Sequence, residues 1–299
     1  MYSRREFGTL ALAGLVRLTA SVKASAVEGF DTGTVVGGVR LGVQTYSFRA
    51  LPRTPDGDGI DPVLRAMGAC GFDECELFAP QAEPSGKSRE ELRAWRLATP
   101  LDHFVGIKKK FDAAGVRIYA YNYSPNASYT DEEIDRGFEI AKALGAEIIT
   151  SSTKLDVAVR IAPLAEKHRM VVAMHGHSNV SDPNEFATPD SFAKALQMST
   201  YFKINLDIGH FIAAGFDAVP YIREHHADIT NLHIKDMRKN RPESYVPWGE
   251  GDAPIRDVLQ LLKREQWPIR AYVEYEYRGQ GTPVEETKKC YEYMKQALG

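Results

Sequence analysis

The chain has 299 residues, of which 43% are hydrophobic and 26% charged, so its composition is ordinary for a folded enzyme and excludes an intrinsically disordered chain. Its 37 basic and 40 acidic residues give a net charge of −3, which argues against nucleic acid as a partner. Three cysteines (Cys70, Cys75 and Cys290) cannot all pair and have no metal-site spacing, so we expect buried thiols.

The N-terminal segment has the pattern of an export signal. Arg4 and Arg5 precede a weakly apolar stretch, and residues 24–26 (Ala-Ser-Ala) offer a small-residue cleavage site. This pattern resembles a twin-arginine signal, so we expect residues 1–26 to direct the protein to the periplasm. Residues 27–39 are the predicted linker, and no later apolar run is long enough to span a membrane.

From residue 40 onward, apolar segments typical of strands alternate with amphipathic segments typical of helices. The predicted strands span residues 40–46, 72–78, 116–123, 147–152, 170–177, 202–207, 229–235 and 270–276. The predicted helices span residues 62–70, 101–114, 131–144, 155–167, 189–199, 219–225, 255–265 and 283–298. Eight β and α units predict a single (β/α)8 TIM barrel over residues 40–299, with its active site at the C-terminal ends of the strands. A doubly wound open sheet is the alternative, but the expected glycine-rich turn does not follow the first strand.

Three of the predicted connections are longer than a minimal barrel needs. They span residues 79–100, 178–188 and 237–254. Each follows the carboxyl end of a strand, the end where such barrels hold their chemistry, so we expect all three to form lids over a site.

Four consecutive predicted strands carry polar residues on one face and apolar residues on the other. The polar sets include His175, Asp207, His233 and Glu274, one from each strand. Because the inward faces of a barrel converge, we expect these four side chains to meet. Burying unpaired carboxylates is costly, and a divalent cation is the simplest compensation. Two imidazoles and two carboxylates suit Mn, Co or Zn better than Ca or Mg; a metal-free, salt-bridged polar plug is the alternative.

Several short motifs resemble those of the sugar phosphate isomerase/epimerase family, which has the xylose isomerase-like barrel. They are NLDIGH at residues 205–210, LHIKD at 232–236, GEGD at 249–252 and VE at 273–274. The resemblance runs from about residue 41 to the C-terminus. It implies a divalent metal bound by Glu, Asp, His and Glu, of which Asp207, His233 and Glu274 match the last three. It also implies that His210 lies near the substrate and Lys235 beside the metal-binding histidine.

The first ligand departs from the family pattern. Where these epimerases have Glu, a small polar residue and His, this chain has His175, Gly176 and His177. The histidine keeps a metal ligand, but it removes the second of the two carboxylates that exchange a proton on opposite faces of the sugar carbon. Epimerisation by two carboxylates is therefore not expected from this sequence.

The chemistry that such a site supports is proton removal next to a carbonyl, through an enediolate. We predict a metal-dependent isomerase or epimerase of keto- or aldo-sugars, with proton transfer by Glu274, His210, Lys235 and His177. Two alternatives stay open. One is a 3-keto-glycoside lyase or keto-glycal hydratase, and the other is a sugar-binding protein without turnover.

Further residues near the predicted strand ends are candidates for substrate contact, because aromatic rings stack on sugars and polar groups bind their hydroxyls. These candidates are Tyr46, Glu76, Tyr121, Lys154, Trp248 and Glu276. No phosphate-cradling glycine loop is present, and export would remove the enzyme from phosphorylated sugars. Both features favour a neutral sugar or keto-glycoside as the small-molecule partner. The sequence leaves the oligomeric state open, with a homo-oligomer as one option.

Overall fold

Eight parallel strands close into a barrel in the computed structural model, which describes residues 34–53 and 57–299. These strands are β2 to β9 and follow a short strand, β1. The bounds are β1 (Val35–Val36), β2 (Val39–Gln44), β3 (Glu74–Phe78), β4 (Arg117–Asn122), β5 (Ile148–Ser151), β6 (Val171–His175), β7 (Phe202–Asp207), β8 (Ile229–Ile234) and β9 (Arg270–Val273). Neighbouring strands pair in chain order, and β9 pairs with β2, so the predicted TIM barrel is confirmed.

Helices surround the barrel. Their bounds are α1 (Ile60–Cys70), α2 (Arg89–Ala98), α3 (Leu101–Ala113), α4 (Asp131–Ala143), α5 (Leu155–His168), α6 (Pro189–Leu196), α7 (Ile208–Ala213), α8 (Ala218–His225), α9 (Ile255–Glu265) and α10 (Pro283–Leu298). All eight predicted helices are present, while α2 and α7 were not predicted. In the described part of the chain, no helix has the length and apolar character needed to cross a membrane.

Residues before the barrel belong partly to the fold. The predicted signal, residues 1–26, lies outside the described residues, as does the predicted linker up to residue 33. From residue 35 the chain forms β1, which pairs antiparallel with the start of β2. The described end of the predicted linker is therefore a hairpin, because Gly37 and Gly38, both with positive φ, form a two-residue turn between β1 and β2.

Several strands end earlier than predicted. β6 ends at His175, β8 at Ile234 and β9 at Val273, where the backbone leaves the hydrogen-bonded ladder at the mouth of the barrel. The polar residues expected at the last strand positions therefore lie on the loops that follow. Likewise Tyr46 lies in a 3-10 turn, Thr45–Phe48, beyond the end of β2.

The main core lies between the barrel and the surrounding helices, and a smaller one fills the barrel interior. The interior cluster consists of Tyr119, Ala120, Ile148, Ala173 and Tyr272, contributed by four strands. All three cysteines are buried free thiols, as predicted. The interior is thus solid below the mouth, and only the C-terminal ends of the strands remain for a site.

The predicted lid at residues 79–100 folds instead as part of the helical layer. Ser88 and Glu91 form a capping box that begins α2, and three arginines of that helix pair with the buried side chain of Glu133 on α4. Arg89 is bidentate to Glu133, with N–O distances of 2.7 and 2.6 Å. Arg96 is the buried residue of this helix, so its inward face is charged where the other helices present apolar side chains to the core.

We predict that Glu133→Gln destabilises the barrel in a pH-dependent way. Burial raises the pKa of Glu133, but hydrogen bonds from Arg89, Arg93 and the Thr130 backbone outweigh it and lower the pKa to about 2. The stabilisation is therefore complete above the ordinary value of 4.5 and is lost as the pH falls toward 2. At pH 7 the free energy of unfolding of the variant should be about 3 kcal/mol lower than that of the wild-type protein.

Urea unfolding of both proteins between pH 7 and pH 3 measures this difference, which should shrink below pH 4.5. Glu132→Gln, at the exposed neighbouring position of the same helix, is the matched control and should change stability little. Equal destabilisation by both variants, or a gap that stays constant with pH, would contradict the role given to Glu133.

Candidate metal centre and active site

A cavity of about 350 Å³ opens at the C-terminal ends of the strands, and its two halves differ in charge. The half near β2 to β5 is uncharged and is lined by Gln44, Tyr46, Phe78, Asn122, Ser124 and Ser152. The half near β6 to β9 is ionisable and is lined by His175, His177, His210, His233, Lys235, Glu274 and Glu276. The loop after β8 adds Glu243 and Tyr245, so the predicted lid at residues 237–254 does contribute to the pocket wall.

Four buried side chains meet on the ionisable side of this cavity. His175, Asp207, His233 and Glu274 each offer one ligand atom, and these atoms lie within 4.8 Å of one another. The His233 Nδ1 to Glu274 Oε2 distance is 2.9 Å, and the His175 Nε2 to Asp207 Oδ2 distance is 3.4 Å. None of these four buried atoms has a hydrogen-bond partner. The structure thus brings together the four residues predicted as metal ligands.

Three of these ligands are anchored through their other polar atom. His175 Nδ1 lies 3.2 Å from the Ser152 hydroxyl, and His233 Nε2 lies 3.0 Å from a Glu76 oxygen. Asp207 caps α7, since its Oδ1 accepts a 2.8 Å hydrogen bond from the His210 backbone N–H. Each of these contacts holds one polar atom of the side chain and leaves the other directed into the cluster. Metal ligands in proteins are commonly oriented by hydrogen bonds of this kind.

Lys235 is buried beside the cluster and contacts three carboxylates. Its Nζ lies 2.9 Å from Asp207 Oδ2 and 2.7 Å from Glu274 Oε2, and it also contacts Glu276. Burial lowers the pKa of Lys235, but these carboxylates outweigh burial and hold the pKa well above its usual value. A Cβ at Gly209 would lie 2.4 Å from Lys235 Cγ, which explains the glycine in the NLDIGH motif.

The donor set and its charge fit a divalent transition metal. Lys235 balances one of its three carboxylate partners, so two negative charges remain. Burial lowers the pKa of His175 to about 4, which leaves a neutral ring with a lone pair for a cation. Burial also lowers the pKa of His233, but Glu76 and Glu274 raise it well above its usual value, so a metal would take the place of a proton. Two imidazole nitrogens and two carboxylate oxygens suit Mn, Co or Zn.

The two other predicted catalytic histidines also line the pocket. His210 is buried, with its Nδ1 3.3 Å from the Ser178 hydroxyl, and burial together with Lys235 holds its pKa well below the usual value. His177 is more exposed and its Nδ1 lies 3.0 Å from Glu185 Oε1. Their rings are 5.1 Å apart, so two imidazoles form one wall beside the cluster.

Of the predicted substrate contacts, Tyr46 and Glu276 line the pocket and four do not. Glu76 is fully buried beneath the cluster. Tyr121 faces the helices and stacks on Tyr123, because the next residue on β4, Asn122, points into the barrel. Trp248 packs against Tyr293 of α10, since the loop after β8 turns away from the mouth there.

Lys154, the remaining predicted contact, is exposed at the start of α5. It pairs with Asp182 and lies 4.0 Å from Glu185 on the loop after β6, outside the cavity lining. The predicted lid at residues 178–188 therefore reaches the site through Glu185, which holds His177.

Several pocket residues were not predicted. Phe78, Asn122, Ser124 and Ser152 occupy the uncharged half, and each stands at or just beyond the end of a strand. The rule that located the metal cluster would have found them, because barrel sites are built from residues at the ends of strands. They were not predicted because they are uncharged, and the search of the sequence was guided by ionisable residues.

Three solved structures illustrate the resemblance of this fold to known proteins. A sugar phosphate isomerase/epimerase from Parabacteroides distasonis has 19% identity and a TM-score of 0.60, covering 90% of this chain and 97% of its own. D-psicose 3-epimerase from Clostridium cellulolyticum has 11% identity and a TM-score of 0.61, covering 86% and 99%. The 3-keto-D-glucoside 4-epimerase of E. coli has 12% identity and a TM-score of 0.60, also covering 86% and 99%.

At these identities, the structural matches show the fold alone. No curated protein matches the chain by sequence. The sequence does match the family model described as xylose isomerase-like TIM barrel over residues 64–297, which is most of the chain. The barrel, its closure and this match lead to one conclusion: the chain belongs to the xylose isomerase-like TIM barrel family.

Proposed function

We propose that the protein is a divalent-metal-dependent sugar isomerase or epimerase that removes a proton next to the carbonyl of a keto- or aldo-sugar. One observation carries the proposal: four buried ligand atoms without hydrogen-bond partners converge beside a pocket of small-ligand size. A non-catalytic binding protein would not need this costly arrangement, because several buried carboxylates that share one lysine destabilise a fold.

A divalent metal in this cluster would polarise the carbonyl of a bound sugar and so acidify the neighbouring C–H. Among the chain's own groups, Glu274 is the proposed base because it both belongs to the cluster and lines the pocket. Its neighbour Glu276 lines the pocket without joining the cluster. Lys235 lies between them and contacts both carboxylates, so it orients them, and its part in proton transfer stays a prediction.

The proposed substrate class is an uncharged sugar or glycoside. Lys235 is the only lysine or arginine that lines the cavity in the described residues, and three carboxylates already surround it. A phosphate would therefore meet no free cation. The uncharged half instead offers the amide of Asn122 and the hydroxyls of Ser124 and Ser152 to sugar hydroxyl groups, and Tyr46 and Phe78 as aromatic surfaces.

Elimination from a 3-keto-glycoside is the second candidate function, and the wall made by His177 and His210 favours it. Glu274 is the carboxylate of the cluster that lines the pocket, and the ring of His177, centred 5.0 Å from the His175 ring, lines the pocket beside it. An imidazole can protonate a departing glycosidic oxygen. One of the related structures is a 3-keto-D-glucoside 4-epimerase, which makes keto-glycosides a sensible substrate class to test.

Solvent deuterium exchange into sugars tests the proposal directly. In D₂O, we expect the protein to incorporate deuterium next to the carbonyl of a neutral keto-sugar, as followed by NMR. Chelation should reduce exchange to the background rate, and Mn, Co or Zn should restore it. Release of the aglycone from a 3-keto-glycoside would select elimination.

Matched phosphorylated sugars are the control for substrate class and should exchange much more slowly than their neutral counterparts. Full exchange after exhaustive chelation would contradict metal dependence. No exchange with any neutral sugar, in metal-loaded protein, would leave only the binding function.

Two variants at the end of β9 separate metal binding from proton removal. Glu274→Gln should weaken metal binding and reduce exchange by roughly 100-fold or more, because it removes a ligand and the base together. Glu276→Gln should leave metal binding nearly unchanged and retain measurable exchange. Calorimetric metal titration and the exchange assay measure the two effects independently.

Metal binding that survives Glu276→Gln while exchange disappears would instead assign proton removal to Glu276. Normal exchange in Glu274→Gln would remove Glu274 from the mechanism. Far-UV circular dichroism of both variants checks that the fold is intact.

We further propose that the protein is exported to the periplasm, on the strength of the paired arginines near its N-terminus. Replacing Arg4 and Arg5 together by lysine should retain the protein in the cytoplasm, because the signal depends on both guanidinium groups. Cell fractionation followed by immunoblotting measures this. Equal periplasmic recovery of both proteins would contradict the proposal.

A further inference from the structure

Glu76 is a fully buried carboxylate at the base of the site, surrounded by nitrogen donors. Its Oε2 lies 2.9 to 3.0 Å from three nitrogens, and its Oε1 lies 2.5 and 3.2 Å from two more. The donors are Gln44 Nε2, Asn122 Nδ2, Asn205 Nδ2, Asn231 Nδ2 and His233 Nε2. They come from β2, β4, β7 and β8, so this one side chain on β3 contacts half of the barrel wall.

The environment of Glu76 differs from that of an ordinary buried ion pair. Glu74, two residues earlier on β3, is equally buried but is balanced by Arg270 at 2.9 Å and by the Tyr272 hydroxyl at 2.7 Å. Around Glu76 no lysine or arginine is in hydrogen-bond contact among the described residues, and four of the five donors are amides. The one ionisable partner of this buried carboxylate is therefore a histidine of the metal cluster, and a buried charge compensated in this way calls for another role.

His233 links this carboxylate to the metal cluster. Glu76 accepts hydrogen bonds from four amides, so it also offers an acceptor to a hydrogen on His233 Nε2, 3.0 Å away. The Asn205 amide nitrogen, which lies 3.0 Å from the same Nε2, donates to Glu76 as well. The other ring nitrogen, Nδ1, is then the one left without a hydrogen-bond partner, 2.9 Å from Glu274 Oε2. A carboxylate that accepts from one nitrogen of an imidazole fixes its tautomer and strengthens the other nitrogen as a metal ligand.

We propose that Glu76 is a positioning residue that sets the metal affinity of the cluster by holding His233 with Nε2 protonated and Nδ1 toward the cation. It therefore does not contact the sugar, contrary to the expectation from sequence. The other imidazole of the cluster, His175, is anchored by the uncharged hydroxyl of Ser152. The charge of Glu76 therefore acts on the cluster through its hydrogen bond to His233. This inference rests on the metal dependence proposed above.

The test compares two glutamates on the same strand. Glu76→Gln keeps the volume but removes the charge and turns an amide N–H toward existing donors. We expect Mn and Zn to bind roughly 10- to 100-fold more weakly by calorimetry, with an altered visible absorption spectrum of the cobalt-loaded protein. Glu74→Gln, an equally buried glutamate outside the cluster, should bind metal within about threefold of the wild-type protein, whatever its stability.

Each outcome decides between the explanations. Wild-type affinity and an unchanged cobalt spectrum in folded Glu76→Gln would overturn the role of Glu76 while leaving the metal site intact. Equal weakening by both variants would indicate general destabilisation and would also overturn it. No metal binding by the wild-type protein would instead refute the proposed function.

A measurement on the wild-type protein covers the case in which Glu76→Gln does not fold. In zinc-loaded protein labelled with ¹⁵N-histidine, the His233 signals should show a protonated Nε2 and a metal-bound Nδ1. A metal-bound Nε2 would overturn the proposal.

Discussion

Excess negative charge buried at the mouth of the barrel is the constraint on which the rest of the site depends. Asp207, Glu274 and Glu276 share a single buried cation, Lys235, and two charges stay unbalanced. Water reaches the cluster poorly, because its members are buried. A divalent metal removes this cost, and its absence would leave orphaned ligand atoms. The same charge distribution therefore underlies both proposals, a divalent metal in the cluster and proton removal from a sugar next to it.

The scaffold supplies rigidity where this chemistry needs it. The anchors of the ligands lie on strands or at a helix start rather than on exposed loops: Ser152 directly follows β5, Asp207 is fixed by the first turn of α7, and Glu76 lies within β3. Side chains held by strands vary little in position, which favours a preorganised site. The barrel interior beneath is filled, so the site can face only the open mouth.

His175 stands where the resemblance to the epimerases implies a carboxylate, and this difference has consequences for both charge and the proposed reaction. A neutral histidine lowers the negative charge of the cluster by one unit. The three carboxylates around Lys235 (Asp207, Glu274 and Glu276) and the lysine together then carry two negative charges, the number that one divalent ion balances. The histidine also removes a base from one side of the substrate. The pocket wall beside the cluster holds two further imidazoles, His177 and His210. Chemistry that removes a proton with a carboxylate and returns one through an imidazole fits this asymmetry better than exchange between two carboxylates.

The sequence by itself determined the barrel, its C-terminal site and the ligand quartet, because strand alternation has a period of two and polar residues at strand ends break it visibly. The capping box of α2, formed by Ser88 and Glu91, was also present in the sequence. The helix was not predicted because its buried residue is an arginine and not an apolar side chain. Only the tertiary structure decided where the side chains of Glu76, Tyr121 and Trp248 lie. How deep a side chain lies along the barrel axis, and whether it points inward or outward, depends on strand tilt, on register shifts and on the path of the loops. These features arise from packing between distant segments of the chain.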